Sequence, residues 1–212
     1  TATESHNVAI GHNTAKAITT GLRNTIVGSI AGDALTDADD NTVFGYNALT
    51  SDTLGSKTVA IGRSVLSSQN FTTATASHNT AVGYGAGGQV TTGRLNTLIG
   101  SEVGDALTDA DKNTAIGYTA LSTDTLGSQS VAVGYQALFS QNFTTATNSN
   151  NVAVGYNAGS QITTGIQNTF LGSGAGDSTD DGDNNTAVGY LALQANCGDS
   201  NTAVGLETLK LT

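Results

Sequence analysis

A five-residue core, Asn-[Thr/Val]-apolar-aliphatic-Gly, constrains this chain more than any other feature. It comes back twelve times in 212 residues. Its glycines are Gly11, Gly28, Gly45, Gly62, Gly83, Gly100, Gly117, Gly134, Gly155, Gly172, Gly189 and Gly205. From each to the next, the numbering steps by 17, 17, 17, 21, 17, 17, 17, 21, 17, 17 and 16. Self-similarity at a short fixed period marks a solenoid, in which each repeat is one coil packed on its neighbours. Three steps of 17 and one of 21 give a longer period, so four coils form each of three super-repeats, 1–72, 73–144 and 145–212, within one domain, 1–212.

Composition agrees with small stacked coils. Gly is 27 of 212 residues, aromatics are 5%, and Trp, Met and Pro are absent. A globular core of this size uses more large side chains. The net charge of -10 argues against nucleic acid, whose binders are usually basic, and against an anionic membrane surface. No apolar run is long enough to span a bilayer. The single cysteine, Cys197, gives no disulfide framework. The chain opens at Thr1 without Met or a visible signal peptide. It reads as a segment of a longer protein or a processed product.

The core columns predict the packing. Position one is Asn in ten coils and Thr58 or Ser130 in the other two. Stacked asparagines suggest an amide ladder between strands. Position two is always Thr or Val, and position four is always aliphatic or Phe. Being two residues apart, they share a face, and we expect that face to be buried in the coil. Position three would then point outward. It holds Ala9, Ile26, Val43, Ala60, Ala81, Leu98, Ala115, Ala132, Ala153, Phe170, Ala187 and Ala203. A strand apolar on both faces needs cover on both sides, and the rest of each unit is turn-rich. A copy of the same chain is the expected cover, so these twelve are the expected trimer interface. The invariant Gly suggests positive φ or close backbone approach. The following Gly-[Tyr/Ser]-x-Ala-[Leu/Gly] segment suggests a second short strand.

Segments such as Asn151-Val-Ala-Val-Gly155 and Ser130-Val-Ala-Val-Gly134 resemble the head repeats of YadA-like trimeric autotransporter adhesins. The fuller form, Asn113-Thr-Ala-Ile-Gly-Tyr-Thr-Ala-Leu121, is similar to bacteriophage tail-fibre repeats. The resemblance implies an all-β fold, a left-handed parallel β-roll, here of about twelve 17-residue coils, with three chains side by side. The coils here are longer than is usual for the adhesins, and every fourth carries four extra residues. The family's stalk and intramolecular chaperone are not seen in this sequence.

Three features could carry chemistry. All six tyrosines, Tyr46, Tyr84, Tyr118, Tyr135, Tyr156 and Tyr190, follow the core glycine. His12, Ser29, Arg63, Ser101, Ser173 and Leu206 fill that column elsewhere. The column is either a strip for glycan or surface contact or a row of corner caps with buried rings and wet hydroxyls. The second feature is a recurring loop: Asp33, Asp37 and Asp39, then Asp105, Asp109 and Asp111, then Asp177, Asp181 and Asp183. Clustered carboxylates suit Ca²⁺, and Asp also suits solvated turns; no cofactor is required by this reading. The third is the long turn in every fourth coil, which either forms a lateral contact knob or carries Phe71 and Phe143 inward.

Catalysis has little support. His6, His12 and His78 lie near core starts without a nucleophile pattern, and the Asp loops do not form the facing carboxylate pair of a glycosidase. The expectation is a non-enzymatic, homotrimeric rod in an extracellular fibre, on a virion or cell surface, that attaches to a host glycan or protein receptor. Open coil ends would need covering by flanking domains. The alternatives are a secreted Ca²⁺-dependent or ice-binding solenoid, or a self-assembling filament subunit. An ice face would need outward Thr in every coil, whereas the pairs Thr19-Thr20, Thr91-Thr92 and Thr163-Thr164 come once per super-repeat.

Overall fold

Three-residue strands, one per coil, stack into a single parallel sheet of twelve, from Val8–Ile10 to Thr202–Val204. The computed structural model describes residues 4–195 and 197–210; residues 1–3, 196, 211 and 212 of the expected 1–212 domain lie outside it. The sheet order follows the chain order, and every pair is in direct register, as in Val8↔Thr25, Ala9↔Ile26 and Ile10↔Val27. No helix occurs among the described residues. The chain is therefore a parallel β-solenoid of about twelve 17-residue coils.

The position-one asparagine closes the coil and fixes the next one. Asn96 Nδ2 donates to Ala110 O, 14 residues on in the same coil, at 2.7 Å. Its Oδ1 accepts the backbone N–H of Asn113 in the next coil at 2.9 Å. The same pair of bonds recurs at Asn24, Asn41, Asn79, Asn113, Asn151 and Asn168. This replaces the expected ladder of amide on amide. Among the described residues, direct Nδ2-to-Oδ1 bonds between these asparagines occur only near the ends of the stack, at Asn7–Asn24 and Asn185–Asn201.

The facing of the strand is the reverse of the sequence expectation. Position three points into the coil: Ile26, Val43, Ala60, Ala81, Leu98, Ala115, Ala132, Ala153, Phe170 and Ala187 are 0% exposed, and Ala203 is 2% exposed. Ala9 shares their face by register, and only its place in the first coil leaves it exposed. A side chain buried in its own chain cannot form an intermolecular interface, so the eleven buried residues are not trimer contacts. The reason is space. The coil is narrow, and Ala fits opposite leucines such as Leu49, Leu66 and Leu121. Where position three is large, the opposite wall is glycine. A Cβ on Gly176 would lie 2.4 Å from the Phe170 ring, and one on Gly104 would lie 2.9 Å from Leu98.

The core glycine is required by contact between coils. Gly83 has φ +139, and a Cβ there would sit 2.1 Å from Gly100 O. The segment after it is a turn and not the expected second strand. Its second and fourth residues have left-handed φ in every coil, including Ile30 at 51° and Leu66 at 47°. An L residue there costs about 1–2 kcal/mol. Hydrogen bonds between coils offset the cost: Ile30 N donates to His12 O, and Leu66 N donates to Ala86 O.

In the 21-residue coils the extra residues form a tip that pairs back on the preceding coil, Gly55–Ser56 with Thr75–Ala76 and Gly127–Ser128 with Thr147–Asn148. Phe71 and Phe143 are carried inward, 5% and 6% exposed. Asn113→Ala tests the closing amide. It would leave Ser130 N–H and Gly127 C=O unpaired in the interior. At about 1–3 kcal/mol for each buried orphan, the expected loss is about 3 kcal/mol, measured by chemical denaturation.

Candidate functional site

With position three inward, positions two and four line the outer face of the sheet. Ile10, Phe44, Ile61, Ile99, Ile116, Leu171 and Val204 are 36–64% exposed, and Val27, Val82, Val133, Val154 and Val188 are half-buried. Position two beside them is Thr25, Thr42, Thr80, Thr97, Thr114, Thr169, Thr186 and Thr202, with Val in the other four coils. The outer face therefore carries an aliphatic column and a Thr/Val column, about 7 Å apart along the strand and repeating about every 4.8 Å along the stack.

The tyrosines form a second exposed column at the corner after the core glycine. They are 41–58% exposed, so the corner-cap alternative with buried rings does not describe them. Tyr118, Tyr135 and Tyr156 stack face to face, with centroids 5.7 and 5.1 Å apart. Arg63 lies between Tyr46 and Tyr84, its guanidinium 5.8 and 5.7 Å from the two ring centroids. Tyr190 stands beyond the gap at Ser173.

The Asp loops are knitted into the stack. Asp37 and Asp109 accept the hydroxyls of Thr20 and Thr92, each at 2.6 Å. Asp39, Asp111 and Asp183 accept the backbone N–H of Leu22, Arg94 and Ile166 in the preceding coil at 2.7–2.8 Å. Asp33 accepts Thr50 Oγ1, and Gln194 Nε2 donates to Asp177 at 3.4 Å. In the third copy, Asp180 and not Asp181 takes the Thr hydroxyl, from Thr163 at 2.6 Å. Among the described residues no three His, Cys, Asp or Glu side chains converge as a metal site would require. Burial, and then the neighbouring Glu102 charge, pushes the Asp105 carboxyl up from its ordinary range.

Two buried carboxylates escaped the sequence reading. Asp52 and Asp124 are 0% exposed. Asp52 Oδ1 accepts Gly55 N and Phe71 N, each at 3.0 Å, and Oδ2 accepts Gln69 Nε2 at 2.6 Å. Gln69 also donates to Thr58 Oγ1, and its Oε1 accepts from Asn79 Nδ2. The cluster thus replaces the closing amide that Thr58 lacks. Asp124, Gln141, Ser130 and Asn151 form the same cluster in the next super-repeat. The available signal was phase: Asp52 and Gln69 stand seven residues after a core glycine, where five other coils place the aliphatic Ile18, Leu35, Val90, Leu107 and Ile162. No protein-family description, no curated protein and no solved structure matches this chain.

Burial pushes the Asp52 and Asp124 carboxyls up, against the opposing hydrogen bonds. A raised folded-state value means that the folded chain holds the proton more tightly than the unfolded chain. The stability from these groups is full below about pH 4, the ordinary Asp range, and is lost as pH rises through the raised value. A D52N/D124N variant lacks this fall. The wild-type-minus-variant stability difference is therefore expected to decline with rising pH across that window, in denaturant titrations at stepped pH. EDTA tests the Asp loops separately. Their carboxylates already hold hydroxyl and N–H donors, so the thermal midpoint is expected to be unchanged by the chelator.

Proposed function

We propose that this chain is a non-catalytic, structural and adhesive segment of an extracellular fibre. Three copies pack side by side into a rigid rod, on a virion or cell surface, that contacts a surface receptor. The observation that carries this reading is the exposed aliphatic column from Ile10 to Val204. Contiguous apolar surface of that length is uncommon on a monomer and marks an interaction face. An in-register column of Val, Ile, Leu and Phe suits a like column on a parallel copy, because symmetry repeats the same spacing on both sides. The interface is therefore positions two and four. The adhesin and tail-fibre resemblance supports the same assembly, and no metal is needed to form it.

The outward Thr column favours a second reading. An ice-binding solenoid needs a bare, regular, Thr-lined sheet, and position two supplies Thr in eight coils and the similarly shaped Val in four. The two readings need opposite states of one face, buried in the trimer or open to water. Light scattering decides between them. The expected mass is about three chains, falling to one in an Ile99→Asp/Ile116→Asp variant. A one-chain mass with thermal hysteresis would establish the ice-binding reading instead.

A further inference from the structure

The tyrosine column carries a serine once in every super-repeat, at Ser29, Ser101 and Ser173. At Ser101 the rings on either side are both covered on their far faces. Arg63 lies over Tyr84, and Tyr135 stacks on Tyr118. The remaining face of each ring looks toward the coil of Ser101, which has no ring of its own. Two coil steps separate Tyr84 from Tyr118, about 10 Å. Two van der Waals contacts of about 4 Å leave about 2 Å, enough for a puckered saturated ring and loose for a flat aromatic one.

A cavity of about 370 Å³ opens beside Tyr84, lined by Ser64, Gly85, Gln89, Glu102 and Asp105 among others. Its floor is bare because the side chains of the sister repeats are missing. Gly85 stands where they carry Asn13 and Asn157, and Gly88 where they carry Lys16 and Ser160. A Cβ on Gly85 would meet only Glu102 Cγ, at 3.9 Å. The cavity combines an aromatic wall with carboxylate, amide and hydroxyl groups. That pairing suits a ligand with apolar C–H faces and a rim of hydroxyl donors.

We propose that the slot over Ser101 binds a pyranose ring of a neutral oligosaccharide between Tyr84 and Tyr118, its hydroxyls donating to the Glu102 and Asp105 carboxylates. This rests on the receptor-contacting reading above and names the ligand class. The slots at Ser173, between Tyr156 and Tyr190, and at Ser29, between His12 and Tyr46, have Gly174 and Ile30 in place of Glu102. They keep an aspartate at the Asp105 place, Asp33 and Asp177, and lack the second carboxylate that Glu102 supplies. Successive slots lie about 20 Å apart along the rod, so a long chain can engage several weak sites at once.

The test is titration of the whole chain with cellotetraose and with maltotetraose. Tyrosine fluorescence, clean because Trp is absent, and saturation-transfer NMR are the readouts. Saturable binding of at least one is expected by about 10 mM, the weak end of specific affinity. Ser101→Tyr fills the slot with the ring that six other coils carry in this column. It is expected to weaken binding at least about tenfold, the scale of losing the stacking contacts on both rings. Glu102→Gln, a smaller change, is expected to weaken binding several-fold, and Tyr135→Ser to add one site between Tyr118 and Tyr156. No saturable signal with either sugar, or binding unchanged in both S101Y and E102Q, overturns the proposal. The slot lies within one chain, so failed binding leaves the expected trimer mass intact, and a monomeric chain would still bind.

Discussion

A side-chain amide at the start of each coil is bonded twice, once across its own coil and once to the backbone of the next. Asn96 cannot keep both Ala110 O and Asn113 N–H unless the two coils sit in direct register. Once they do, the core glycines come into contact. The carbonyl of Gly100 then occupies the place where a side chain on Gly83 would be. Amide and glycine therefore enforce each other, and everything outside the coil inherits their spacing. The aliphatic column, the Thr/Val column and the tyrosine column are straight because the backbone beneath them has no freedom to slip.

Period, fold class and coil number were legible because this register writes itself into the sequence as a recurring Asn and Gly. The inward turn of Phe71 and Phe143 was legible as one of two readings. The facing of the strand was not, because both of its faces are apolar and hydrophobic pattern alone cannot orient it. The deciding information lay across the coil. Phe170, Leu98 and Ile26 each recur with a glycine six residues later, Gly176, Gly104 and Gly32, as expected only if the two positions share one small interior. The turn after the core was hidden for a different reason. Its left-handed positions accept Ile30, Leu66 and Glu102 alike, since bonds between coils, and not residue type, hold them there.

The long coils show what happens when the closing amide is given up. Thr58 and Ser130 cannot span the coil, so Gln69 and Gln141 reach in from the added turn, each anchored on a buried aspartate. A buried anion without a cation partner is costly. Three donors aimed at it limit that cost and leave the group sensitive to protons. The Asp loops differ in kind. They lie at the surface, where Asp39 and Asp111 receive a backbone N–H from the coil before, and they add to the stacking that the buried amides impose.

The four-coil grouping also bears on how such a rod can change length. Removing one ordinary coil would keep backbone register, yet it would bring two long coils closer and shift every later interruption of the tyrosine column. Removing one whole super-repeat would restore each column, each long coil and each buried aspartate to an equivalent neighbour. Size variants of this rod should therefore differ by whole four-coil blocks, about 20 Å of height at a time, with the spacing of surface features the same in short and long forms.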